Sequence, residues 1–169
     1  VKLRGFFGNC ALFLLLATAI GAAISDQKDR AASRPASESR VSHYRIDYAL
    51  KKARALHKIL MIEFGADWCE DCLMLDQRLS KGAAAAYFQE HFMRLKVDIG
   101  QSDRNLDVAM DLGLDMNHGI PAAVFFDDDG ARIGATNNGE LEPSRNYSEK
   151  QVLKFLKEIV NNRSITKPD

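Results

Sequence analysis

The sequence predicts an α/β domain in which a central mixed β-sheet is flanked by helices on both faces. Helical and strand periodicities alternate from Ser42 onward as α, β, α, β, α. The segment ILMIEF, Ile59 to Phe64, is apolar on both alternating faces apart from Glu63, the pattern of a central strand covered on both sides. A terminal hairpin and helix follow, and alternating elements closed by such a pair imply a mixed sheet between helical layers. With 169 residues, 46% hydrophobic content and nine phenylalanines, the chain can bury one core but is short for two domains. Its 23 basic and 23 acidic residues sum to zero and form no polybasic run, so nothing in it points to a nucleic-acid surface.

The elements follow in order. In residues 1–25, Lys2 and Arg4 precede the apolar run Cys10 to Ile20, and GAAIS supplies small residues where a signal peptidase could cut. This segment reads as a signal peptide. The apolar stretch Phe6 to Ile24, broken only by Asn9, is also near the ~20 residues that span a bilayer, so an uncleaved N-terminal membrane anchor is the other reading. Both predict export, and the leader is the only predicted link to a membrane. Residues 26–41 are polar, without aromatics, and contain Pro35, so they form a flexible linker. The domain runs over 42–161, and 162–169 form a C-terminal tail.

Within the domain, Ser42 can cap a helix whose apolar positions are Ile46, Ala49, Leu50, Ala53 and Leu56, ending near His57. After the central strand a helix starts at Cys69, and KGAAAAYFQEHF continues helically. MRLKVDI alternates as a strand, and NLDVAMDLG gives a short helix with Gly113 as its C-terminal cap. AAVFF and ARIGA flank the turn Asp127 to Gly130 as a hairpin. The last helix, Ser148 to Val160, opens with a Ser148/Gln151 capping box and gathers Val152, Phe155, Leu156 and Ile159 on one face.

The chemistry concentrates in GADWCEDC, Gly65 to Cys72, at the carboxyl end of the central strand, where ligand chemistry in such sheets is found. Without the leader, Cys69 and Cys72 are the only thiols, in a compartment that permits disulfides. Three residues apart at a helix start, their sulfurs share a face of the first turn and are close enough to bond. Cys69 should be the exposed member, its thiolate favoured by unpaired N–H groups and the helix dipole, with Cys72 one turn inward to resolve a mixed disulfide. Two other readings stay open. A soft metal-ligand pair would serve a metal-delivery or chaperone-like module, although His43, His57, His91 and His118 are scattered and no second cysteine pair completes a closed zinc site. A structural staple would close too short a loop to constrain the unfolded chain much.

Strand, then GADWCEDC, then GIPAAVFF and a hairpin, over about Ser42 to Asn161, resemble the thioredoxin superfamily, in particular exported bacterial thioredoxin-like proteins and the periplasmic thioredoxin-like module of membrane thiol reductases. The resemblance implies a thioredoxin-like fold and dithiol–disulfide exchange, Cys69 attacking and Cys72 resolving. No cofactor is implied beyond the redox-active Cys69–Cys72 disulfide, and no metal. The implied partners are disulfide-containing protein substrates and a thiol electron donor, such as a membrane thiol reductase, in a periplasm where the chain is free or anchored to the inner membrane.

By the same resemblance Pro121 is cis and packs against the dithiol, the Ile120 backbone pairs with an extended substrate, and Trp68 shapes the substrate groove. Glu63 matches the buried acid beneath the resolving cysteine, with burial raising its pKa. Arg94 stands where many thioredoxins have a lysine partnering that acid, although Arg94, Lys96 and Asp98 also fit a solvated strand face. The chain departs from the family in Glu70-Asp71 for Gly-Pro, in Gly65 for an aromatic, in Ala122 after the proline, in a longer DMNH segment, and in a long connection from Thr136 to Asn146. Glu70 and Asp71, with Asp67 nearby, oppose a thiolate at Cys69 and so tune the pair towards a reductase rather than an oxidase or isomerase. Their alternative role is to initiate the helix.

Overall fold

A computed structural model describes residues 43–162. The expected leader, linker, Ser42 cap and most of the tail lie outside the described residues. Among the described residues no helix is long and apolar enough to cross a membrane.

Helix α1 (His43–Ala55) buries Ile46, Ala49 and Ala53. Leu56 departs from expectation: it is 48% exposed, because the helix ends at Ala55 and the chain leaves through His57 at φ 52, turning Leu56 off the apolar stripe. Strand β1 (Ile59–Gly65) is buried along its whole length, as its two-sided apolar pattern requires. Helices α2 (Glu70–Arg78) and α3 (Gly82–His91) follow. The helical run breaks between them, where Lys81 is extended (φ −151, ψ 158) and Gly82 has φ +81.

Strand β2 (Phe92–Asp98), helix α4 (Leu106–Asp111), strands β3 (Ala122–Phe126) and β4 (Arg132–Ala135), a 3-10 turn (Ser144–Asn146) and helix α5 (Glu149–Asn162) complete the order. Gly113, at φ +72, ends α4 as expected, its N–H donating to Met110 O while Leu114 N–H reaches back to Ala109 O. The capping box forms too: Ser148 N–H donates to Gln151 Oε1 at 2.9 Å and Gln151 N–H to Ser148 Oγ at 3.3 Å.

The sheet runs β2-β1-β3-β4, with β1 parallel to β2 and antiparallel to β3, which pairs antiparallel with β4. It is the mixed sheet the sequence predicts. Alternation along β1 divides the core into two layers: Leu60, Ile62 and Phe64 pack with α1 and α4, while Ile59 and Met61 pack with α2, α3 and α5. Glu63 belongs by parity to the Met61 layer, beneath α2. The carboxyl end of β1 therefore delivers the chain directly to the two cysteines.

Candidate active site

Cys69 and Cys72 form a disulfide, their Cα atoms 5.2 Å apart. Cys69 is the N-cap of α2, in extended conformation, and its Sγ accepts from Cys72 N–H at 3.1 Å. The expectation of an exposed Cys69 needs correction: it is 6% accessible and Cys72 2%, because the opposite wall covers it, the Ile120 carbonyl lying 3.5 Å from its Sγ. Cys69 is nonetheless the cysteine that opens into the adjoining cleft of about 500 Å³, which Trp68, Glu70, Ile120, Glu142 and Arg145 also line. The Ile120–Pro121 peptide bond is cis. Trp68 is 51% exposed, and its indole N–H donates to Gly100 O at 2.7 Å.

Beneath the pair, Glu63 is fully buried. Arg94 reaches it from the neighbouring strand, Nε donating to Oε2 at 2.6 Å and Nη2 pairing with the same oxygen. Arg94 Nη2 also lies 2.6 Å from Asp76 Oδ1, and Lys96 Nζ 2.6 Å from Asp76 Oδ2. Arg94 thus partners the acid rather than lying on an ordinary solvated face. Glu63 Oε1 is buried without a hydrogen-bond partner. Burial raises the Glu63 pKa, and the charge and hydrogen bond of Arg94 only partly offset it. Gly65 explains how carboxylate and sulfur share this space: a Cβ there would sit 3.1 Å from Cys72 Sγ and 3.7 Å from Glu63 Oε1. The departure from an aromatic at this position leaves room between the two groups.

Glu70 and Asp71 are not the uncompensated pair that the sequence suggests. Arg145, from the 3-10 turn, donates Nη1 to Glu70 Oε2 at 2.8 Å and Nη2 to Asp71 Oδ2 at 2.7 Å, while its backbone N–H reaches Asp71 Oδ1 at 2.8 Å. Asp71 is buried and Glu70 exposed. Sequence reasoning missed Arg145, since it lies 74 residues beyond Asp71 in a segment without periodicity. The available signal was chemical: two acids at a helix start, one of them on the inward side, call for a cation. Among the described residues no cluster of three or more His, Cys, Asp or Glu could hold a metal ion.

A redox-capable disulfide at a helix start, facing a cis-proline loop at the end of an interior strand, agrees with the sequence comparison: the family described as thioredoxin-like matches residues 42–128. The chain belongs to the thioredoxin-like family. It is a thiol–disulfide oxidoreductase. Among solved structures, a disulphide isomerase from Xylella fastidiosa Temecula1 is 33% identical to this thioredoxin-like protein, covering 75% of this chain and 97% of that one at a TM-score of 0.68. A thioredoxin from Thermus thermophilus, 20% identical, shares the fold, covering 70% and 85% of the two chains at a TM-score of 0.51. No curated protein matches the sequence significantly.

Proposed function

We propose that this protein is an exported reductase of protein disulfides. In the reduced enzyme the Cys69 thiolate attacks a substrate disulfide, forming a mixed disulfide and releasing one substrate thiolate, which takes up a proton. Cys72, deprotonated by Glu63, then attacks Cys69 Sγ, releasing the second substrate thiol and restoring the Cys69–Cys72 disulfide; two electrons have passed to the substrate. A thiol donor, which we take to be a membrane thiol reductase, returns the pair to the dithiol. The enzyme needs no cofactor beyond this pair. Export rests on the leader in residues 1–25, and the periplasm is the compartment that reading implies.

The observation that carries the division of labour is the asymmetry of the two sulfurs. Cys69 caps a helix start and opens on the cleft, whereas Cys72 lies within α2, near the unpartnered Oε1 of a buried acid. Trp68, Ile120 and Pro121 would seat an extended substrate, the Ile120 backbone pairing with it as an added strand. In the reduced protein, limiting alkylating reagent should label Cys69 first, and Cys72→Ser should accumulate mixed disulfides with extract proteins. Peptide mapping that finds Cys72 labelled first would reverse the assigned roles.

The likeness to the Xylella fastidiosa disulphide isomerase favours a second reading, isomerisation by the same pair. The reduction potential discriminates. A value near thioredoxin's, about −270 mV, agrees with a reductase, one near about −180 mV with an isomerase, and one above about −150 mV would sink the reductase reading.

A further inference from the structure

We propose that Arg145 is a positioning residue for disulfide exchange, the cation that lets Cys69 ionise beside its own acidic neighbours. The inference rests on the reading of Cys69 as the attacking thiol. The sequence between the cysteines places two carboxylates in the first turn of α2, where they favour the helix but oppose a thiolate at its cap. Asp71 is also buried, and a buried carboxylate persists only when paired. Arg145 answers both demands. Its guanidinium spans Glu70 and Asp71, with Nε adding a third contact at 3.0 Å to Asp71 Oδ2, and its backbone N–H ties the 3-10 turn to α2. The same guanidinium lines the cleft onto which Cys69 opens. Glu142 lines the same cleft, so Glu70, Asp71, Glu142 and Arg145 together carry two negative charges at the mouth instead of three.

The segment that carries Arg145 also reaches the opposite wall. Asn137 Oδ1 accepts from Asp115 N–H at 2.9 Å, and a Cβ on Gly119 would lie 3.4 Å from Glu142 Cγ. The stretches 115–118 and 136–146 thus pack on each other and hold the cysteine wall and the proline wall in register. Arg145 is the point where that strap meets the chemistry.

The test measures the pH dependence of Cys69 alkylation in the reduced full-length protein. Glu70→Gln/Asp71→Asn should lower the Cys69 pKa, and adding Arg145→Gln to that background should raise it by about half a unit, leaving about 3-fold less thiolate below the pKa. Arg145→Lys, which keeps the charge, should hold the profile near wild type. Arg145→Gln alone strands the buried Asp71 and can fail to fold, which is why the acid-free background carries the comparison. Double and triple variants with superimposable pH profiles would overturn the proposal and leave Arg145 a purely structural tie. Cys72 labelled ahead of Cys69 in the wild type would remove the reading on which the proposal stands, and the proposal with it.

Discussion

Two carboxylates lie buried near the disulfide, and their surroundings give them different duties. Asp71 receives its donors from a single arginine, whereas Glu63 has one oxygen held by Arg94 and the other unpartnered. Glu63→Gln should slow resolution of the mixed disulfide more than its formation, since the proposed base serves Cys72; stopped-flow traces with an unchanged resolution step would remove Glu63 from the mechanism. The raised pKa of Glu63 has a sign in stability as well. The folded state binds its proton more tightly than the unfolded chain does, so its stabilising contribution is fully present below 4.5 and is lost as pH rises through the folded value. Thermal melts should show the wild type losing ground against Glu63→Gln as pH climbs from about 4 to 8; parallel curves would mean that burial leaves the carboxyl unperturbed. The residues legible in the sequence were those whose signal is local: the cysteine pair, the acid inside an apolar strand, the tryptophan and the proline beside their motifs. Arg145 was illegible because its meaning lies in a partner 74 residues away.

At the scale of elements, the least expected joint is between α3 and α5. The N-cap residue of α3, Lys81, offers no side-chain bond, and the helix is capped instead by Glu149 from the first turn of α5, which accepts from Ala83 and Ala84 N–H. Gly82 at φ +81 makes room for that carboxylate, so any Cβ there meets both a strained backbone and the Glu149 side chain. Glu149→Ala should lower stability by about 1 kcal/mol through loss of a charged cap, read as a shift of a few degrees in the melting midpoint with the reduction potential unchanged. A midpoint equal to wild type would show that water replaces the cap. The hairpin, the capping box and the glycine end of α4 were predictable because each is written in adjacent residues. The break between α2 and α3 and the loss of Leu56 from the core were not, since helical periodicity continues through both and only the geometry of the chain ends them.

For the whole molecule, one interior strand organises both packing and chemistry. β1 carries a core layer on each face and ends just before the cysteine-bearing helix, so the strand that builds the scaffold also leads into the site. The layer beneath α2 continues as an aromatic chain from Phe88 to Phe92, Phe125 and Phe155, with ring centroids 5.1, 6.4 and 6.3 Å apart, linking α3, β2, β3 and α5. Phe155→Ala should therefore cost about 3–5 kcal/mol in denaturant titrations, whereas Leu73→Ala, at an exposed position of α2, should cost little. Equal effects would mean that the buried aromatic chain contributes no more than an exposed side chain. The fold was legible at this scale because alternation and order decide it, while the strap from Thr136 to Asn146 gave no periodic signal and showed its purpose only in contact with both walls. Trp68 is the chain's single tryptophan and stands immediately before Cys69, its indole N–H bonded to Gly100 O. An excited indole held beside a disulfide should lose more of its energy by electron transfer to sulfur than one held beside a dithiol. Excited where tyrosine does not absorb, the fluorescence of the intact protein should thus give a one-site optical record of its own oxidation state, readable during turnover without any label.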